Sequence, residues 1–193
     1  MDKLSKRAIA QLCASGAIQE DDREVYEYSL NILLISVLHT LTILLIGLAL
    51  GMFLESVVLF ASFFLIRKFA GGFHAPKHWQ CYLFTIVSIS GALLLARLLL
   101  TQNDIFFYAL LGVQGSIIFL LAPAEHPNKP LSEKEKKVYR FVAWGLCFAL
   151  AALSVVMLHW VSRSTGLALS MGLVLCAFSL VVAKAKRMIM RAL

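Results

Sequence analysis

Apolar residues come in six long runs along this chain, at 29–50, 51–66, 82–100, 105–122, 141–161 and 165–183, with short polar stretches between them. A helix needs about 20 such residues to cross the hydrocarbon core of a bilayer, within a range of roughly 17–25. The second run is marginal by this measure, because only residues 56–66 separate Glu55 from Arg67. It spans if residues 51–54 join it, and otherwise it re-enters as a hairpin. Ahead of the runs, Leu4, Ala8, Ile9, Leu12 and Cys13 recur at helical spacing, with Lys3, Lys6, Arg7 and Gln11 off that stripe. Residues 3–18 therefore predict an amphipathic helix, lying on the membrane surface or packed as a cytosolic helix on the rest of the protein.

The polar stretches carry an orientation signal. With six crossings and the N-terminus inside, the cytoplasmic segments hold Lys3, Lys6, Arg7 and Arg23, then Arg67, Lys68 and Lys77. They also hold Lys129, Lys134, Lys136, Lys137 and Arg140, and finally Lys184, Lys186, Arg187 and Arg191. Of the 18 Lys and Arg residues, only Arg97 and Arg163 fall outside. The positive-inside rule then predicts both termini in the cytoplasm. The expected fold is all-α and polytopic, about six transmembrane helices plus the N-terminal amphipathic helix. One membrane-embedded domain covers 1–193, with 1–27 as its cytoplasmic N-terminal segment.

Composition agrees. The chain is 60% hydrophobic and 15% charged, with a mean hydropathy of +0.82, more apolar surface than a soluble domain of this size can bury. The formal charge of +7 lies in clusters without the aromatic interleaving of a nucleic-acid reader, so no nucleic-acid partner is expected. Cys13, Cys81, Cys147 and Cys176 lack paired spacing, which argues against a disulfide framework or a CxxC zinc site. The first 27 residues carry too many charges for the apolar part of a signal peptide. In the loop 122–140, Pro123, Pro127 and Pro130 forbid a continuous helix. Ser132 with Glu135 forms a capping-box pattern from which a helix restarts into the fifth crossing.

One stretch is not explained by anchoring. Residues 67–81 read RKFAGGFHAPKHWQC. Gly71-Gly72 breaks the second helix, and Pro76 suits the first turn of the next. His74 then lies in the loop and Cys81 about a turn and a half inside the new helix. On one straight helix seven residues separate the two by about 10 Å of rise; the glycine break lets His74 fold back over the first turns. A cysteine near a helix N-terminus, beside a histidine and Arg67, Lys68 and Lys77, is where a thiolate forms readily, and a histidine can take and return its proton. The plainer alternative is a cysteine packed in a membrane helix and a solvated interfacial histidine. His78 shares a helix face with Cys81 at i−3. His74, His78 and Cys81 also have the i, i+4, i+7 spacing of three metal ligands, but no further ligand accompanies them in the loop, and neither metal nor cofactor is expected.

Arg67, Gly71-Gly72, His74-Ala75 and Cys81 together, with Ala122-Pro123 and Asn128-Lys129-Pro130 in the later loop, resemble the AgrB (accessory gene regulator B) family of bacterial membrane endopeptidases. The resemblance extends over essentially the whole chain. It implies a cysteine peptidase of the bacterial cell membrane that matures a quorum-sensing prepeptide, with Cys81 as nucleophile, His74 as general base, and Arg67 and Gly72 in supporting positions. His78 lies off the motif. The family often has an acidic or amide residue at the start of the first crossing; here Glu27 and Asn31 both sit near that place, and a third catalytic member stays unassigned. The implied partners are a short AgrD-like prepeptide, membrane lipid and a second copy of the chain as a homodimer. The rival reading is a small peptide transporter or exporter without covalent chemistry. It would draw on His39, Glu55, Arg97 and His159 inside the crossings, although several of these fall at helix ends, where snorkelling suffices.

Overall fold

The structure, a computed structural model, describes residues 2–73, 78–125 and 131–192. Every regular element among them is helical. In order these are α1 (Asp2–Ala14), a 3-10 turn (Glu20–Asp22), α2 (Arg23–Ala49), α3 (Phe53–Ala70), α4 (His78–Leu99), α5 (Asp104–Leu121), α6 (Glu133–Val156) with a π-helical turn (Met157–Val161), and α7 (Arg163–Ala192). The chain divides into two compact units, Met1–Thr42 and Ile43–Leu193.

In the first unit α1 stops four residues short of the predicted end. Gly16, at φ +73, closes it in a Schellman motif. Its N–H bonds Cys13 O at 2.9 Å, and Ala17 N bonds Leu12 O at 3.0 Å.

Each of the six apolar runs forms a helix. Among the described residues, five helices are long and apolar enough to cross a membrane: Glu20–Ala49, Trp79–Leu99, Asp104–Leu121, Glu133–Val161 and Arg163–Met190. The sixth, α3, carries Glu55, Arg67 and Lys68 within 18 residues. It is one unbroken helix, about 27 Å long at 1.5 Å per residue, so the chain does not double back inside 51–66. Large apolar side chains point outward from the helices, such as Phe148 at 80% and Leu120 at 76% exposure. Water would not support faces of this kind, and lipid does. This is an integral membrane protein.

In the second unit α7 is the central helix: 72% of its most apolar stretch is buried inside the protein, against 22% for α4, 17% for α5 and 28% for α6. Its most extensive packing is against α3. Lipid tails are as apolar as leucine, so helices in a bilayer associate through close packing and hydrogen bonds. The α3–α7 contact uses both. A side chain at Gly172 would run into Ser62 Oγ and come within 2.8 Å of Leu59 O and Phe63 N. The Ser62 hydroxyl lies 2.9 Å from Leu59 O and 3.1 Å from Leu169 O. The buried stripe Ser56, Leu59, Ser62, Ile66, Ala70 is the face of α3 that makes this approach possible.

The helices of this unit alternate in direction, and two ends result. At one, Arg163 pairs with Asp104 and donates to Gln102 O at 2.5 Å, while Tyr108 Oη and His159 Nε2 lie 2.8 Å apart. At the other, the C-termini of α3 and α5 meet the start of α6 and the later part of α7. The expected capping box is formed there, with Ser132 N donating to Glu135 at 2.8 Å and Glu135 N to Ser132 Oγ at 3.3 Å. Lys136 pairs with Glu125 at 2.8 Å and Glu133 at 2.7 Å. Pro123 has no N–H for the carbonyl four residues back, and the Trp144 indole supplies a donor instead, reaching Phe119 O at 3.2 Å.

Candidate functional site

The end that gathers the basic clusters also holds the break between α3 and α4. α3 stops because Gly71 takes φ +74 and Gly72 φ +144, values that side-chain-bearing residues rarely adopt. Space makes the same demand. A Cβ on Gly71 would strike Ala124 O; one on Gly72 would strike Ser179 Oγ and lie 3.0 Å from Arg67 Nη1. Gly71 pairs with Ala124 in an isolated parallel bridge. Ala124 N donates to Ala70 O at 2.8 Å, giving the last carbonyl of α3 a donor. The Ala122–Pro123 peptide bond is cis.

Beyond the glycines the chain is gripped by an arginine clamp. Arg67, in the last turn of α3, donates through Nη1 to Ser179 Oγ at 2.5 Å and through Nη2 to Phe73 O at 2.5 Å. Phe73 N closes the triangle with bonds to Ser179 Oγ at 3.0 Å and Ser179 O at 3.1 Å. Ser179 is fully buried on α7. Bonds from a charged donor are roughly twice as strong as neutral ones, and here they tie three parts of the chain together. The guanidinium also lies over the Phe63 ring at 5.2 Å.

Aromatic packing brings α4 to this clamp. The Phe73 ring lies 5.5 Å from Phe84, and Phe84 stacks on Phe178 of α7 at 5.7 Å and 5°. The Lys186 ammonium sits over the Phe73 ring at 5.4 Å. Cys81 is one turn before Phe84, in the first turns of α4. Its thiol is free and half-buried, and its carbonyl accepts from Thr85 Oγ1 at 2.9 Å.

Of the predicted site residues, the structure sets Gly72 against Arg67, and Phe84, three residues after Cys81 on α4, packs on Phe73 beside them. His74 and Pro76 lie outside the described residues, as do the side chain of His78 and hence the metal-ligand alternative. Among the described residues no three His, Cys, Asp or Glu side chains gather as a metal site. Glu27 and Asn31 lie on α2 in the first unit, where Glu27 accepts from Arg23 Nε at 2.9 Å. Glu55 and Arg97 occupy the first turn of α3 and the last turn of α4. Sequence reasoning missed Ser179 and Ala124. A serine inside AFSLVV is the only mark that the first leaves, and 112 residues separate it from Arg67.

A half-buried free thiol in the first turns of a membrane helix, on the helix whose Phe84 packs against a turn that a half-buried arginine holds shut, defines a class: helical membrane proteins with a candidate cysteine centre at the basic end of the bundle. Within that class the chain belongs to the AgrB family, accessory gene regulator B, which matches residues 5–180. A protein from Listeria welshimeri described as AgrB-like is 31% identical over 71% of this chain and 68% of its own. One from Listeria monocytogenes is 30% identical over 69% of this chain and 66% of its own, so the chain spans about two thirds of those relatives. A third, from Clostridium perfringens, is 23% identical over 85% of this chain and 89% of its own. No solved structure matches the chain. Membership in the family connects this membrane protein with autoinducer-peptide processing in quorum sensing.

Proposed function

We propose that this chain is a cysteine endopeptidase of the bacterial cell membrane that cleaves a short AgrD-like prepeptide at the cytoplasmic face. The observation that carries the reading is the clamp: Arg67 and Ser179 fix Phe73, the residue joined to His74, while Phe84 packs α4 and its Cys81 against the same point. The basic clusters at this end favour the cytoplasmic side by the positive-inside rule. The Cys81 thiolate attacks a backbone carbonyl carbon of the precursor, its proton having passed to His74. The C–N bond breaks, His74 returns the proton to the departing amine, and the N-terminal part remains as a thioester on Cys81. A thiol or hydroxyl within that peptide then attacks the thioester carbonyl, releasing Cys81 and closing a thiolactone or lactone ring. Exchange of one thioester for another is nearly isoenergetic, and a sheltered site limits hydrolysis.

The test is co-expression with the prepeptide, comparing wild type with Cys81→Ala, Cys81→Ser, His74→Ala and His78→Ala by mass spectrometry of the products. Cleavage should be lost in the Cys81 variants and His74→Ala and persist in His78→Ala. Survival of cleavage in Cys81→Ala would refute the peptidase reading and return the exporter reading, while loss in His78→Ala with activity in His74→Ala would reassign the base. The exporter reading has less support, since Glu55 and Arg97 sit in end turns of their helices, where charges reach the interface.

A further inference from the structure

Hydroxyl side chains in apolar helices ordinarily hydrogen-bond their own helix, donating to a carbonyl three or four residues back. Here Ser36, Thr40, Ser56, Thr85, Ser116, Ser154 and Ser170 all do so. Ser179 differs: its oxygen receives two bonds from distant parts of the chain, from the Arg67 guanidinium at 2.5 Å and the Phe73 amide at 3.0 Å. Its own carbonyl receives the Phe73 amide as well, at 3.1 Å. The room for this comes from Gly72, where any side chain would meet Ser179 Oγ. Three features of the motif (the arginine, the glycine and the residue before His74) thus converge on one fully buried hydroxyl.

We propose that Ser179 is a positioning residue for the Cys81 centre. From α7 it holds Arg67 and Phe73 in register and so fixes the position of Phe73, the residue before His74. This rests on the cysteine-peptidase reading. Without the hydroxyl, Arg67 Nη1 loses its acceptor and Phe73 keeps only the Ser179 carbonyl. The loop is then held at fewer points, and the productive arrangement is a smaller share of the population. Substrate contacts away from the thiol are untouched, so the loss falls on kcat and leaves KM.

The experiment measures prepeptide cleavage by the full chain in proteoliposomes for wild type, Ser179→Ala, and the isosteric pair Ser179→Thr and Ser179→Val, with Cys81→Ala alongside. Expected is a fall in kcat of about tenfold or more for Ser179→Ala with KM within about twofold, and a Thr variant faster than the Val variant by a similar factor. Because Thr and Val match in shape, their difference reports the hydroxyl even if the added methyl slows both. Ser179→Ala at wild-type kcat, a change confined to KM, or a slowed Ser179→Ala with Thr and Val equal would each overturn the assignment. If Cys81→Ala still cleaves, the peptidase reading itself fails. If Cys81→Ala is dead and Ser179→Ala fully active, only the role of Ser179 does.

Discussion

Replacing Gly72 by alanine adds one methyl group to a crowded turn. Gly72 sits at φ +144, a region that non-glycine residues occupy at a cost of about 1–3 kcal/mol. The new Cβ also meets Ser179 Oγ and lies 3.0 Å from Arg67 Nη1. Relief requires the clamp to move, and overpacking of this sort costs a further ~1–3 kcal/mol. Taking about 3 kcal/mol in all, and assigning it to the ordered turn, cleavage of the prepeptide should fall more than roughly hundredfold at one decade per 1.36 kcal/mol. Gly51→Ala is the internal control. Gly51 has φ +66, but a Cβ added there would meet nothing within 4 Å. It bears backbone strain alone, about 1–2 kcal/mol, in the α2–α3 connection away from Cys81. The assay is the initial rate per amount of folded protein in proteoliposomes, with helix content followed by circular dichroism. If Gly72→Ala cleaves at a rate close to wild type, or is no slower than Gly51→Ala, the argument from the clamp is refuted.

Three further outcomes follow from the same contacts. Arg67→Lys keeps the charge but cannot reach Ser179 Oγ and Phe73 O through one planar fork; cleavage should drop about tenfold or more, and near-wild-type rates would show that charge alone suffices. Gly172→Ala forces α3 away from α7 and should destabilise the protein by about 1–3 kcal/mol, read as a lower unfolding midpoint in detergent, whereas Gly145→Ala, helical with open space around it, should be neutral or slightly stabilising. Ser132→Ala removes the α6 capping box and should cost about 1 kcal/mol, seen as faster amide exchange in the first turn of α6 with little change in cleavage.

The helices were legible in the sequence because each apolar run exceeds what a loop can carry. Their ends were less so: residues 15–18 follow no apolar rule, and Gly16 ends α1 through its backbone conformation. The capping box at Ser132 was legible because its two side chains lie three residues apart. The centrality of α7 was written in its small residues, Gly166, Ala168, Ser170 and Gly172, but hydropathy does not register smallness. At the site, Gly71-Gly72 announced a break and Arg67 a charge with work to do. What that charge binds was hidden, since a serine 112 residues away is joined to it only by the packing of α3 on α7, which no local pattern encodes.

That separation has a consequence for how the protein comes into being. Arg67 and Gly72 leave the ribosome long before Ser179, and at roughly 5–20 residues per second the wait is on the order of 5–25 s. Until α7 enters the membrane, α3 lacks its main neighbour, and Arg67 and Phe73 have no serine to hold them. The thiol of Cys81 is already present through this interval, next to an unfastened turn. Under the proposed function, biogenesis itself then acts as a safety catch: a ribosome-bound or prematurely terminated chain carries the proposed nucleophile without the arrangement that would let it cut.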